Sequence, residues 1–119
     1  MDIRHRERIK VVQKLFSSHF SIDGSIAKNA KIVAILKKQK SIDKKIAAAA
    51  PKFPVDKIGL VDLSILRLSI FDLLYEKKTP PKVVINEAVE LAKELSSERS
   101  PAFVNAVLGA IYNKKKKDD

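Results

Sequence analysis

Apolar residues recur along the chain at intervals of three and four positions, which is the period of an amphipathic α-helix. The pattern is clearest in the second half, where it predicts helices over about 60–76, 81–95 and 101–113. Pro81 and Pro101 fall in the first turn of the last two, a position that tolerates proline. No segment shows the period of two that marks a half-buried strand.

The first half carries the same periodicity less regularly. It predicts three further helices, over about 3–20, 25–39 and 42–50. Ser25 and Ser41 are the candidate N-caps of the second and third helices, because serine is favoured at that position. A connector with two prolines, 51–59, follows the third helix and marks a break in the fold.

Composition supports an all-α fold. Only three Gly and five Pro interrupt the 119 residues, and 45% of the residues are hydrophobic. That is enough for the core of one domain of ordinary size. We therefore predict a compact bundle of about six helices in two small sub-bundles, at about 1–50 and 58–113. Residues 114–119, KKKKDD, are predicted to form a disordered basic tail.

Charge is distributed unevenly along this chain of net charge +10. Residues 1–45 carry 12 basic and 4 acidic side chains, whereas residues 46–113 carry eight of each. Three of the five arginines, Arg4, Arg6 and Arg8, fall within five residues of one another. Such a concentration of guanidinium groups is typical of proteins that bind a polyanion, most often a nucleic acid. General solubilisation by lysine is the alternative explanation of the net charge.

The flanks of the first predicted helix are cationic beside its apolar face. Arg4 and Arg8 lie one turn apart on one flank, and Arg6, Lys10 and Lys14 form a ladder at i, i+4 spacing on the other. Like charges at this spacing repel, and cations at a helix N-terminus oppose the helix dipole. A bound polyanion would offset both penalties, so these flanks are the predicted nucleic-acid surface.

The chain lacks the usual material of an active site. It has no Cys, and its two histidines, His5 and His19, do not stand in a metal-ligand pattern. Three glycines cannot form a phosphate-binding loop. We therefore expect neither an enzyme nor a cofactor or metal site. No apolar run is long enough for a membrane span or a signal peptide, and a soluble cytoplasmic protein is expected.

Three residues beside apolar runs have two possible roles. Asn86 and Asn105 could each hold two helices in register through a polar contact, or present an amide to a ligand in a groove. Phe103, near the start of the last predicted helix, could belong to the core or offer its ring to a base.

Three segments resemble one known family. The segment KVVINEAVELAKEL (82–95), followed by FVNAVLGA (103–110), resembles the C-terminal half of the NusB family of bacterial transcription antitermination factors. VDLSILRLSIFDLL (61–74) resembles the helix that carries the LR motif of that family, and RHRERIKVVQKLF (4–16) resembles its arginine-rich first helix.

The resemblance implies an all-helical fold of two sub-bundles and a function in RNA binding. Proteins of this family bind boxA-type RNA in nascent ribosomal RNA together with the ribosomal protein NusE, and help RNA polymerase to pass terminators. The residues that the resemblance places on RNA are Arg4, His5, Arg6, Arg8 and Phe103. Lys10, from the cationic ladder of the first helix, is added to the predicted RNA-binding residues. The resemblance places Asp62 on the surface that meets the ribosomal protein. A homodimer is also plausible in such a family.

The chain departs from the family pattern in places. Residues 21–40 look abbreviated, so the first half of the fold is predicted to be shortened. His5 and Glu7 interrupt the arginine run, Asp72 stands where the family has Glu, and Asn105 is followed by Ala106 rather than Gly.

Two other functions remain open at this point. The same helical domain occurs in ribosomal RNA cytosine methyltransferases, so the chain could be a stand-alone RNA-targeting domain of that kind. It could also be a helical adaptor whose basic face binds acidic proteins. The adaptor alternative predicts no preference for RNA over an unrelated polyanion.

Overall fold

The computed structural model describes residues 3–18 and 29–118. Within these ranges the chain forms six α-helices and no strand. The helices are α1 (Ile3–Ser18), α2 (Ala30–Lys37), α3 (Gln39–Ala49), α4 (Leu60–Phe71), α5 (Pro81–Leu95) and α6 (Ser100–Asp118). A short 3-10 turn, Val55–Lys57, precedes α4, and a π-helical turn, Asp72–Glu76, continues from its end. The prediction of about six helices is confirmed.

Helices α2 and α3 do not begin at the predicted residues, because neither predicted serine is the N-cap of its helix. The side chain of Asn29 accepts a hydrogen bond from the Ile32 N–H at 3.0 Å, so α2 begins at Ala30 rather than at residue 25. Ser41 lies inside α3 rather than at its cap, and its hydroxyl is hydrogen-bonded to the Tyr75 hydroxyl at 2.6 Å. The predicted cap Ser25 and the predicted helix ends at residues 19–28 lie outside the described residues.

Helix α4 occupies the centre of the molecule. Every residue from Leu63 to Ile70 is buried, including the polar Ser64, Arg67 and Ser69. A helix that is buried on all sides must have neighbours all round it, and α4 is in contact with α1, α3, α5 and α6. One cluster of buried apolar side chains includes residues from all six helices. The division into two sub-bundles stays a prediction.

Two ion pairs attach α2 and α3 to the central helix and the turn after it. The guanidinium of the buried Arg67 donates to both carboxylate oxygens of Asp43, from Nε at 3.0 Å and from Nη2 at 2.9 Å. Lys31 Nζ donates to Asp72 Oδ1 at 2.6 Å and lies 3.0 Å from Glu76 Oε2. Burial raises the pKa of Asp72 above its usual value, although the Lys31 ammonium opposes the shift.

Helix α6 extends further than the sequence predicts. It continues to Asp118, so residues 114–118, which were predicted to be a disordered tail, are helical. Lysine is a good helix former, and cations at a helix C-terminus are favoured by the helix dipole. These two effects explain why a run of lysines extends the helix. In the described part of the chain, no helix combines the length and the hydropathy that a membrane span requires.

Candidate nucleic-acid interface

Helix α1 packs with one face against the central helix and leaves its cationic flanks exposed. Val12 and Leu15 are buried in the core. Arg4, Arg6 and Lys10 are exposed, whereas Arg8 is half-buried. The helix therefore follows the predicted arrangement of one apolar face and two basic flanks.

His5 is the exception among the predicted RNA-contacting residues. It is buried, and its two ring nitrogens contact two carboxylates of α5: Nδ1 lies 2.7 Å from Glu87 Oε2 and Nε2 lies 2.9 Å from Glu94 Oε1. The hydrogen bond to Glu87 raises the pKa of His5 above its usual value, burial opposes the shift, and Glu94 adds to it. The structure therefore does not place His5 on the RNA-facing surface. It joins α1 to α5.

Arg4 and Arg8 meet a third cation at the N-terminal end of α5. A groove of about 430 Å³ is lined by both arginines and by Lys78, together with Thr79, Pro80, Val83 and Glu87. Arg8 Nη1 lies 3.7 Å from Glu87 Oε2, the carboxylate oxygen that also contacts His5. One glutamate thus holds both the histidine and the arginine. Three cationic side chains therefore border one groove.

The other flank of α1 is more open. Arg6, Lys10 and Lys14 are exposed. Lys10 Nζ lies 3.7 Å from Glu7 Oε1 in a pair whose two side chains are both more than half exposed. Such an exposed pair contributes little to stability. This flank can therefore contribute long-range attraction for a polyanion, whereas on the other flank Arg4 and Arg8 border a groove.

Phe103 lies away from this groove and pairs with a second aromatic ring. The rings of Phe53 and Phe103 meet edge to face, with centroids 5.4 Å apart and an angle of 72° between the planes. Phe103 is half-buried against the core, whereas 54% of Phe53 is exposed. Phe103 does not line the groove beside Arg4 and Arg8. The pair offers a partly exposed aromatic surface on which an unstacked base could lie.

Asp62 makes hydrogen bonds within the domain. Its Oδ1 accepts from the Ser96 hydroxyl at 2.5 Å and its Oδ2 accepts from the Ser100 hydroxyl at 2.9 Å. It thereby joins the first turn of α4 to the residue after α5 and to the first residue of α6. The structure shows this internal role, and the contact with a ribosomal protein stays a prediction.

The two asparagines are both exposed on their helices. Asn86 lies on the outer face of α5 and Asn105 on the outer face of α6. An exposed amide does not hold two helices in register. The packing interpretation is therefore wrong for both residues, and their amides are accessible to a ligand.

Sequence reasoning missed several residues of this surface. Lys78 and Phe53 lie in connecting segments, where helical periodicity gives no signal. Glu87 and Glu94 were read as part of a family motif and not as the partners of His5. Their spacing of seven residues, two helical turns on one face, is the one signal in the sequence that could have paired them with a single cation.

Comparison with known proteins begins with a family model. The model described as the NusB family matches residues 29–113, more than two thirds of the chain. A transcription antitermination protein NusB from Herpetosiphon aurantiacus is 37% identical, covering 98% of this chain and 94% of the relative. That alignment spans 139 positions, whereas the chain has 119 residues, so the relative carries residues that this chain lacks.

Other relatives match over a shorter range. The NusB of Clostridium novyi is 42% identical over 81 residues, which are 68% of this chain and 61% of the relative. In the NusB of Treponema denticola the identity is 48%, over 61% of this chain and 54% of the relative. In these matches the chain spans little more than half of the relative's length.

Solved structures share the fold over almost the whole chain. A crystal form of T. maritima NusB superposes with a TM-score of 0.82 at 28% identity, covering 99% of each chain. A structure of the antitermination factors NusB and NusE in complex with dsRNA superposes with a TM-score of 0.71 at 22% identity, covering 95% of this chain and 99% of the other. The second similarity shows the fold alone.

Proposed function

The chain belongs to the NusB family, and on that premise we propose that it is an RNA-binding antitermination factor. In this role it binds boxA-type RNA in nascent ribosomal RNA together with a NusE-type ribosomal protein. The observation that carries the proposal is the groove where Arg4, Arg8 and Lys78 converge. A binding role rather than a catalytic one fits a surface made of cations and aromatic rings.

The groove would hold the RNA backbone. Arginine presents a planar fork of donors that matches phosphate oxygens, and Lys78 adds a point charge beside it. Arg8 lies 3.7 Å from Glu87 in an ion pair, which would partly order the arginine before RNA arrives. Less side-chain entropy is then lost on binding. Contacts of this kind determine position along the strand but not sequence.

Bases would be recognised elsewhere on the domain. Sequence-specific recognition of single strands uses stacking on aromatic rings and hydrogen bonds to base edges. Phe103 with Phe53 supplies the stacking surface, and the exposed amide of Asn105 lies on the same helix as Phe103. RNA that reaches from the groove to this pair would contact both kinds of site.

A titration followed by fluorescence anisotropy tests the proposal. A labelled boxA-like single-stranded RNA, a scrambled RNA of the same composition and a duplex are each titrated with the protein, with and without a NusE-type protein. The duplex is included because a protein of the same fold is described in complex with NusE and dsRNA. Each titration is run at about 50 and about 200 mM salt, because phosphate contacts weaken with salt.

The proposal predicts that the boxA-like RNA binds more tightly than the scrambled RNA, and that the NusE-type protein increases the difference. Equal, weak binding of both RNAs with and without the partner would contradict it. Binding to heparin as tight as to the boxA-like RNA would favour the adaptor alternative instead.

A further inference from the structure

A second groove, of about 710 Å³, lies between α3, the π-helical turn and the C-terminal half of α6. Small and apolar side chains form its floor: Ala48, Ala49, Leu74, Tyr75, Ala110 and Ile111. Four lysines also line it, Lys44 and Lys45 from α3 and Lys114 and Lys115 from α6. Asp118 is the single acidic residue among the described residues that line it.

Lysines dominate the charge of the described residues that line this groove. In residues 3–18 and 29–118, none of the four lysines has an ion-pair or hydrogen-bond partner. Four ammonium groups therefore border an apolar floor. The arrangement is electrostatically suited to a ligand with an apolar centre and acidic edges.

The groove is separate from the proposed RNA surface. The first residue of α6, Ser100, is hydrogen-bonded to Asp62 at the start of α4. The C-terminal half of α6 lines the groove together with Leu74, which lies beyond the end of α4. The groove is thus at the opposite end of α4 from Asp62. Neither Arg4 nor Arg8 nor Phe103 lines it.

The floor of the groove is unsuited to nucleic-acid bases. Among the described residues, Tyr75 is the single aromatic one that lines it, and its ring already contacts two neighbouring side chains. Lys38 Nζ lies 5.4 Å from the ring centroid, and the Phe71 ring lies 6.0 Å away at an angle of 33°. The Tyr75 hydroxyl is hydrogen-bonded to Ser41. A base would find one aromatic ring here, and that ring already has two neighbours, whereas the three alanines allow a helix to approach closely.

We propose that this groove binds an amphipathic α-helix of a partner protein. The helix has apolar residues at i, i+3, i+4 and i+7 and Asp or Glu along both edges of that stripe. The stripe lies on the alanines, Leu74 and Ile111, and the carboxylates face the lysines of α3 and α6. The groove is a protein-binding site additional to the RNA surface.

The test uses a labelled peptide of about four helical turns, with Leu at the stripe positions and Glu at the others. A peptide of the same composition in scrambled order is the first control. Lys44→Glu with Lys114→Glu reverses charge on both sides of the groove at exposed positions. Lys57→Glu with Lys82→Glu makes the same charge change at exposed positions outside it.

We expect saturable binding of the patterned peptide and a loss of about tenfold or more in the groove variant, since charge reversal across an interface is strongly unfavourable. The outside variant should bind as the wild type does. Ala110→Trp, which fills the exposed floor without changing charge, should also weaken binding. Circular dichroism of each variant establishes that the fold is retained.

Three results would overturn the proposal. The first is equal binding of the patterned and the scrambled peptide. The second is an equal loss in the two charge-reversal variants, which would show attraction by net charge alone. The third is a groove variant that loses affinity for a single-stranded oligouridylate and not for the patterned peptide, which would assign the groove to nucleic acid.

Discussion

Nδ1 of His5 lies 2.7 Å from Oε2 of Glu87, so the arginine-rich helix α1 is attached to α5 by a histidine in the middle of its cationic end. The second ring nitrogen lies 2.9 Å from Glu94. An ionised carboxylate only accepts hydrogen bonds, so the ring can donate to both glutamates at once only when both of its nitrogens carry protons. The attachment of α1 to α5 is therefore sensitive to pH.

The first prediction concerns stability as a function of pH. The pKa of His5 is raised from its usual value of 6.5 in the folded protein. A group whose pKa is raised on folding contributes stability through its protonated form. This stability is fully present below the unfolded-state pKa and is lost as the pH rises through the folded-state pKa. Between about pH 6 and pH 9 we expect the free energy of unfolding to fall by about 1–2 kcal/mol more in the wild type than in His5→Gln. This is the magnitude typical of partly exposed hydrogen bonds to charged groups.

Urea unfolding of both proteins across this pH range measures the difference. Because the other titrating groups are common to the two proteins, subtracting the two curves isolates the contribution of His5. Parallel curves would show that the imidazolium contributes no net stability. Glu94→Gln, which leaves the contact with Glu87 intact, should reduce the difference without abolishing it.

The second prediction concerns the salt dependence of RNA binding. The logarithm of affinity for single strands falls with the logarithm of salt concentration by about 0.7 for each phosphate contact. If Arg4 and Arg8 each contact a phosphate, replacing both with Ala lowers the slope by about 1.4. Anisotropy titrations at four salt concentrations give the slope. Lys40→Ala with Lys57→Ala removes the same charge at exposed positions outside the groove and should change the slope less. An unchanged slope in the arginine variant would show that Arg4 and Arg8 do not contact phosphates.

Much of the fold could be predicted from the sequence because helices leave a local signal. The periodicity of the apolar residues predicted α5 at its observed bounds and the apolar face of α1. Contacts between distant segments leave no such signal. The inward position of His5 depends on Glu87 and Glu94 of another helix, and the convergence of Lys78 with Arg4 depends on how α1 lies on α5. The run after Asn113 was misread because its polarity suggested disorder, whereas its lysines favour a helix.

The third prediction concerns the aromatic pair. Stacking of one base on an aromatic ring contributes about 1–3 kcal/mol, so Phe103→Leu should weaken boxA-like RNA binding by roughly tenfold or more. Leucine is chosen because it keeps most of the apolar contact of the half-buried ring with the core.

Phe53→Leu should have a smaller effect if Phe53 only orients Phe103 through their edge-to-face contact. Thermal unfolding of both variants separates a loss of binding from a loss of stability. Equal RNA affinity in the wild type and the two variants would show that the bases do not stack on this aromatic pair.

The fourth prediction concerns the ion pair that joins α3 to the central helix. Arg67 is 5% exposed and donates to both carboxylate oxygens of Asp43. Removing one partner of a fully buried pair costs about 3–5 kcal/mol. Because the Asp43 side chain is 24% exposed, we expect a smaller loss for Asp43→Ala, about 2–3 kcal/mol.

The double variant Asp43→Ala with Arg67→Met should be less destabilised than the sum of the single variants, since methionine leaves no buried charge without its partner. Urea unfolding of the four proteins completes the cycle. Additive losses would show that the two side chains stabilise the fold independently, in spite of their hydrogen bonds.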